Sequence, residues 1–251
     1  MRGTLVGSVE HPLDGTRSQA MSKESWNLLA RDFEGSVCDI TATSGKLLAE
    51  LVGRTRPSRR KVLVDAGCGI GTFVERFGKR FGKVVAFDFA SVMVKRARRL
   101  CRGFDHVTWQ SMPLENASSR IGSIADLVVC LNVITSPDED LRLRQWKSLV
   151  TLVRPGGYLM VVVPSLESAC YAAEVDSASS DHPQDSCPDL IRRTDTLQKH
   201  YGRGELRRQV TREGLQVLSL RQIHYPWSEE GLEHLATRTP WDWVCLARKL
   251  A

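Results

Sequence analysis

Residues 62–73 read "VLVDAGCGIGTF". An apolar run reaches Asp65, and glycines then follow at every second position: Gly67, Gly69 and Gly71. An apolar run that ends in glycine reads as a buried strand turning sharply out of a sheet. Glycine there allows a tight turn and lets the backbone touch a ligand. The helix that follows would present its N-terminus to the same spot.

The flanks repeat the pattern. "KVVAFDFA" (83–90) reads as a second strand, "HVTWQ" (106–110) as a third, "ADLVVCLNVI" (125–134) as a fourth and "RPGGYLMVVVP" (154–164) as a fifth. Helices are predicted between them. Phe73, Phe77 and Phe81 recur at helical spacing over 72–82. "SVMVKRARRLC" (91–101) has Ser91 as its expected cap, and 136–153 has Ser136 at the cap with Pro137 next. Strands that are apolar throughout belong to a parallel sheet covered on both faces. The alternation predicts an open, doubly wound α/β fold. Before it, "SKESWNLLARDFEGSVCDITATSGKLLAELVG" has helical spacing, with Trp26 and Phe33 on one face and Gly35 as a break. After it, 165–190 starts helix-like and becomes rich in Ser, Asp and Pro, so it is either a lid or disordered. Residues 194–214 read as one or two helices. Residues 215–227 and 241–250 read as two closing strands.

In such a sheet ligands sit beyond the carboxyl ends of the strands, at the switch point. The glycine spacing departs from the dinucleotide fingerprint, because the third glycine comes four places after the first rather than five. Asp65 would also repel a pyrophosphate. A ligand with an ammonium or sulfonium charge would be attracted. Asp88 ends the second strand, 23 residues after Asp65, where an acid can accept from both ribose hydroxyls.

With "VVAFDFA", "ADLVVCLNVI" and "LVRPGGYLMVVVP" following in order, the chain resembles the class I S-adenosylmethionine-dependent methyltransferases over residues 60–165. The resemblance implies a seven-stranded, mostly parallel Rossmann-like sheet closed by an antiparallel hairpin. It implies S-adenosylmethionine as cofactor and transfer of its methyl group by in-line displacement. It assigns Asp65 to the methionine ammonium, and Gly67, Cys68, Gly69 and Gly71 to the backbone cradle. Asp88 goes to the ribose, and Phe89, Met93, Ser111 and Met112 to the adenine. Asn132 goes to the methionine side, near the methyl. The loop "WQSMPLE" departs from relatives that carry an Asp there. The expected layout is a flexible tail (1–20) and one domain (21–251). That domain comprises cap helices (21–54), the cofactor core (60–165), a lid or substrate segment (166–213) and the closing hairpin (214–251).

Methyl transfer from a sulfonium needs mainly alignment and a dry pocket, so no obvious base is required. His224 and Tyr225, in "RQIHYPW", are the candidate catalytic residues. His224 is either a base or a structural residue, and Tyr225 and Trp227 either wall the acceptor pocket or pack the core. Tyr171 and His200 are weaker candidates. Asp138, Glu139 and Asp140 are expected to dress a helix N-terminus rather than bind a metal. No Asn-Pro-Pro-aromatic run follows the fourth strand, where "LNVITSP" stands.

The chain has 251 residues, 42% apolar and 25% charged, with net charge +6. That composition is ordinary for a globular protein. Arg54, Arg56, Arg59, Arg60 and Lys61 form one basic cluster, and Lys95, Arg96, Arg98, Arg99 and Arg102 another. They read as solvated faces, since no aromatics are interleaved to stack on bases. Seven scattered cysteines without a CxxC pair read as reduced thiols. No apolar run reaches the roughly 20 residues of a membrane span, and no signal-like core opens the chain. The expectation is a cytoplasmic enzyme with a small-molecule acceptor. The alternatives are an RNA or protein methyltransferase, or a non-catalytic cofactor-binding subunit.

Overall fold

The computed structural model describes residues 39–177, 190–193, 196–226 and 239–250. The expected tail, Trp26, Phe33, Gly35, Trp227 and the helical piece at 228–238 lie outside them. Seven strands form one sheet: β1 (Val62–Ala66), β2 (Lys83–Asp88), β3 (Val107–Ser111), β4 (Ala125–Leu131), β5 (Val153–Pro164), β8 (Leu215–His224) and β9 (Trp241–Lys249). Their order is β3-β2-β1-β4-β5-β9-β8. The first five run parallel, and β9 runs antiparallel to both β5 and β8. The carboxyl ends of β1, β2, β4, β5 and β8 therefore share one rim with the start of β9. A short hairpin, β6 (Leu190–Arg193) and β7 (Thr196–Lys199), stands apart from the sheet.

The unbroken apolar strands follow from burial on both faces. Leu63 and Leu127 enter one core cluster, whereas Val64 and Val128 enter the other. Successive side chains alternate between faces, so two layers of helix are needed to cover them. Those layers come from α1 (Ile40–Thr43), α2 (Gly45–Arg54), α3 (Thr72–Phe77), α4 (Ser91–Leu100), α5 (Ala117–Ile121), α6 (Glu139–Leu152), α7 (Leu166–Ser177) and α8 (Arg203–Arg212). At the foot of the sheet, Asp126 of β4 accepts from the Val62 N–H at 2.9 Å and from the Arg154 guanidinium. It ties the starts of three strands together. Asp126→Ala leaves a part-buried N–H unpaired and frees the Arg154 guanidinium, so it should cost about 2 kcal/mol, or about 4–8 °C in Tm. Thermal melts beside the parent check this.

Several local expectations are corrected. The α3 helix ends at Phe77 and gives way to a 3₁₀ turn over Gly78–Arg80, where glycine weakens the helix. The cap of α4 is Ala90, whose N–H donates to Asp88 Oδ1, not Ser91. The cap of α6 is Asp138, which accepts from the Leu141 N–H at 3.1 Å, because the Ser136 hydroxyl is engaged by the Asp138 N–H. Residues 196–199 are strand rather than helix. The backbone beyond them is claimed by neighbours: Lys199 N–H donates to Thr135 O, and Tyr201 N–H to Pro164 O. Cys170 is disulfide-bonded rather than reduced. The other described cysteines, Cys68, Cys101, Cys130 and Cys245, are free and buried.

Candidate functional site

The site begins where β1 leaves the sheet. Asp65 sits between Ala86 of β2 and Val129 of β4, and is 2% exposed. Its Oδ2 is buried with no hydrogen-bond partner. Burial, then the neighbouring Asp88 charge, raises its pKa from 3.8 to about 8. Such an acid is unsatisfied until a donor or cation arrives.

The glycine loop folds back over the end of β2. Gly67 and Cys68 donate their N–H groups to Phe87 O at 2.8 and 2.9 Å, and Gly71 donates to Cys68 O. The φ angles of Gly67, Gly69 and Gly71 are +77°, +51° and +91°, a region that side chains disfavour. Sterics add a second reason. A Cβ on Gly67 would lie 2.3 Å from Val133 Cγ2, and one on Gly71 would lie 2.9 Å from Ala97 Cβ. The first glycine lets the loop touch the turn after β4. The last lets α3 start against α4.

Asp88, 8% exposed, ends β2. Its Oδ2 accepts from the Gly69 N–H at 3.0 Å and its Oδ1 from the Ala90 N–H at 2.9 Å. Burial raises its pKa to about 6, opposed by those amide bonds. Beyond it, Ile70, Ala90 and Met93 form a small apolar cluster, with Phe89 and Val92 packed against it. Met112 is buried in the main core and donates its N–H to Asp88 O. Ser111 is exposed and its hydroxyl donates to Phe89 O at 3.4 Å. Asp65, the glycine loop with Cys68, Asp88, Phe89, Met93, Ser111 and Met112 thus gather over the ends of β1, β2 and β3. Asn132 stands on the other side of β1, beyond β4, and its side chain reaches Asp242.

His224 and Tyr225 are placed apart. His224 ends β8 and Tyr225 follows it, three strands beyond β4 and so roughly 14 Å across the sheet. His224 is exposed, with Nδ1 3.0 Å from Thr239 Oγ1, and its carbonyl accepts from the Ser44 hydroxyl at 2.6 Å. Tyr225 is buried in the core with Ile223, and its N–H donates to Pro240 O. Other residues stand on the rim between them and Asn132. The Trp241 ring lies 6.2 Å from Tyr171 and 6.1 Å from His224. His200 is buried on the segment stitched to Thr135 and Pro164. Asp242 went unremarked in the sequence, although an acid in the apolar run "WDWVC" is the same signal that marked Asp65.

An open depression of about 400 Å³, lined by Arg59, Lys79, Gly103, Phe104, Asp105 and His106, lies at the opposite, amino-terminal end of the strands. Among the described residues no group of three or more His, Cys, Asp or Glu could hold a metal ion. No described helix is long and apolar enough to cross a membrane.

Residues 63–157 match the family model of a methyltransferase domain. Among curated proteins, none matches the chain in sequence. Solved structures share the fold. A Methanosarcina mazei S-adenosylmethionine-dependent methyltransferase is 20% identical, covers 79% of this chain and 97% of its own, and has a TM-score of 0.58. A Haloferax volcanii structure, a methyltransferase in complex with the Trm112 methyltransferase activator, is 15% identical over 90% and 98%, with a TM-score of 0.65. The Synechocystis magnesium protoporphyrin IX methyltransferase with bound S-adenosylmethionine is 14% identical over 90% and 94%, with a TM-score of 0.59. Residues 63–157 thus carry a methyltransferase domain, and the chain shares the fold of solved S-adenosylmethionine-dependent methyltransferases.

Proposed function

We propose that the protein transfers a methyl group from S-adenosylmethionine to a small-molecule acceptor in the cytoplasm. The observation that carries this reading is the buried Asp65 carboxylate, whose Oδ2 has no partner beside a loop only glycine can form. The residues present fit the cofactor. Asp65 would take its ammonium, the 67–71 backbone its methionine chain, and Asp88 its ribose. Phe89, Met93 and the residues at 111–112 would border its adenine. When bound, the cofactor supplies a methyl group activated by its sulfonium charge. The chain's part is to fix that group in line with the acceptor and exclude water.

The rim supports a small acceptor. Asp88 and Asp242 are buried carboxylates at the strand ends and would repel a phosphate backbone. One basic cluster precedes β1 at the far end, and the other lies on and just after α4. The described parts of α7 and of the β8–β9 pair would border the acceptor, with His224 and Tyr225 at its outer edge. Incubation with methyl-tritiated S-adenosylmethionine and fractionated cell extract tests the proposal. Label in metabolites is expected; label in RNA or protein alone contradicts it.

A pH dependence follows. A pKa near 8 leaves Asp65 mostly protonated at pH 7 without ligand. Binding an ammonium group needs the carboxylate, so binding should release a proton. Affinity should rise with pH, by up to about tenfold per unit, and level off above about 8. The unfolded carboxyl titrates at 3.8, so the ligand-free fold should lose stability as pH climbs from there toward 8. Calorimetry in buffers of different ionisation enthalpy should detect proton release in the parent and much less in Asp65→Asn.

A further inference from the structure

Asn132 follows β4 with φ +53°, a left-handed conformation uncommon for a residue with a side chain. Its N–H donates to Val162 O at 2.9 Å. The next residue, Val133, fills the space Gly67 leaves open, which sets Asn132 beside the glycine loop. Its side chain runs the other way. Asn132 Nδ2 donates to Asp242 Oδ2 at 2.7 Å, across the end of β5. Asp242 is 5% exposed and pairs with Pro164, the last residue of β5.

A carboxylate oxygen only accepts, so it selects the amide's NH₂ and fixes which way the amide faces. The consequence is that Asn132 Oδ1 is buried with no hydrogen-bond partner. Such an orphan destabilises the fold until a partner arrives, whereas asparagine tolerates the left-handed backbone better than most residues. A cost of that kind persists where a ligand removes it. The amide lies on the β5–β9 side of β4, away from the gap that Asp88 and the glycine loop occupy. The ligand facing it is therefore the acceptor rather than the cofactor, and the Trp241–Tyr171 rim stands on the same side.

We infer that Asp242 is a positioning residue: it turns the Asn132 amide so that Oδ1 accepts a hydrogen from the methyl acceptor, whose nucleophile is an amine or hydroxyl that carries one. This rests on the methyltransferase reading above. In the transfer, the nucleophile's lone pair forms the bond to the methyl carbon. The carbon–sulfur bond breaks with its electrons going to sulfur, and the hydrogen held at Oδ1 leaves as a proton to water. Amine and hydroxyl acceptors share this chemistry and are told apart by the product.

The test compares the parent, Asp242→Asn, and the exchanged pair Asn132→Asp with Asp242→Asn. Each is assayed with methyl-tritiated S-adenosylmethionine and the small-molecule fraction of a cell extract, and by calorimetry with S-adenosylhomocysteine. An asparagine at 242 can donate or accept, so the amide at 132 loses its fixed direction. Asp242→Asn should lower kcat/KM for the acceptor about 10- to 100-fold, with S-adenosylhomocysteine affinity changed less than about twofold. The exchanged pair restores an oxygen facing the acceptor and should recover at least about tenfold of the loss. The label should sit on nitrogen or oxygen. The inference is overturned if Asp242→Asn is as active as the parent, if the exchange recovers nothing, or if the label sits on an atom that held no hydrogen. A parent that binds no S-adenosylhomocysteine contradicts the methyltransferase reading instead. If the parent binds it but labels nothing, the side-chain amide of Asn132 still decides by NMR. Its protons should be protected from exchange in the parent and unprotected in Asp242→Asn, and free exchange in the parent overturns the inference.

Discussion

Asp65→Ala is expected to weaken S-adenosylmethionine binding about 100-fold, near 2.7 kcal/mol, the scale of a buried hydrogen bond to a charged group. Asp65 Oδ2 is the buried acceptor at the end of β1 that the fold leaves unsatisfied. An ammonium placed there gains both charge and hydrogen bond in a site water does not reach. The ligand-free variant should be no less stable than the parent. Keeping an unpaired acid buried next to Asp88 is costly, which is why its pKa stands near 8. Affinity and stability should thus move independently, and calorimetry together with thermal melts reads both. A variant that binds as tightly as the parent removes Asp65 from the site. One that loses affinity only in proportion to lost stability reduces Asp65 to a folding residue.

Gly67→Ala should be strongly disruptive, because clash and backbone strain fall on the same residue. The new Cβ would sit 2.3 Å from Val133 Cγ2, at a φ of +77°. Left-handed strain costs about 1–2 kcal/mol for a residue with a side chain. With the clash, the total should reach about 3 kcal/mol, or about 6–12 °C in Tm. Cofactor affinity should fall at least about tenfold, because the loop that carries Cys68 and Gly69 must shift. Val133→Ala in the same chain removes the clash but not the strain, so the double variant should recover roughly half the loss. A single variant that melts with the parent would mean that the loop has another low-energy path.

The arrangement at the ends of β1 and β2 was legible because it is local. Asp65 and Asp88 are acids inside apolar strands, and an acid is expensive there unless it works. The glycines between them are spaced for a turn that other residues cannot make. What lay hidden depends on partners far away in the chain. Asn132 and Asp242 are 110 residues apart, and no periodicity announces that pairing. The 196–199 stretch has helix-like composition, yet the residues beyond it are held to Thr135 and Pro164, and tertiary bonds overrode local preference. Ser136 and Asp138 are both good caps, and the helix starts at the second because the first is spent on the Asp138 N–H. His224 was correctly placed at the end of a strand. That the strand lies at the sheet's edge, roughly 14 Å from β4, is a matter of strand order.

The central claim is that the ends of β1 and β2 form the S-adenosylmethionine site. Its most direct test is one calorimetric titration series at fixed pH, with S-adenosylhomocysteine against the parent, Asp65→Ala and Asp88→Ala. The account predicts one saturable site in the parent, weakened in both variants, with no comparable heat from a nicotinamide dinucleotide. Silence with S-adenosylhomocysteine alongside tight dinucleotide binding, or equal affinity in all three proteins, would contradict it.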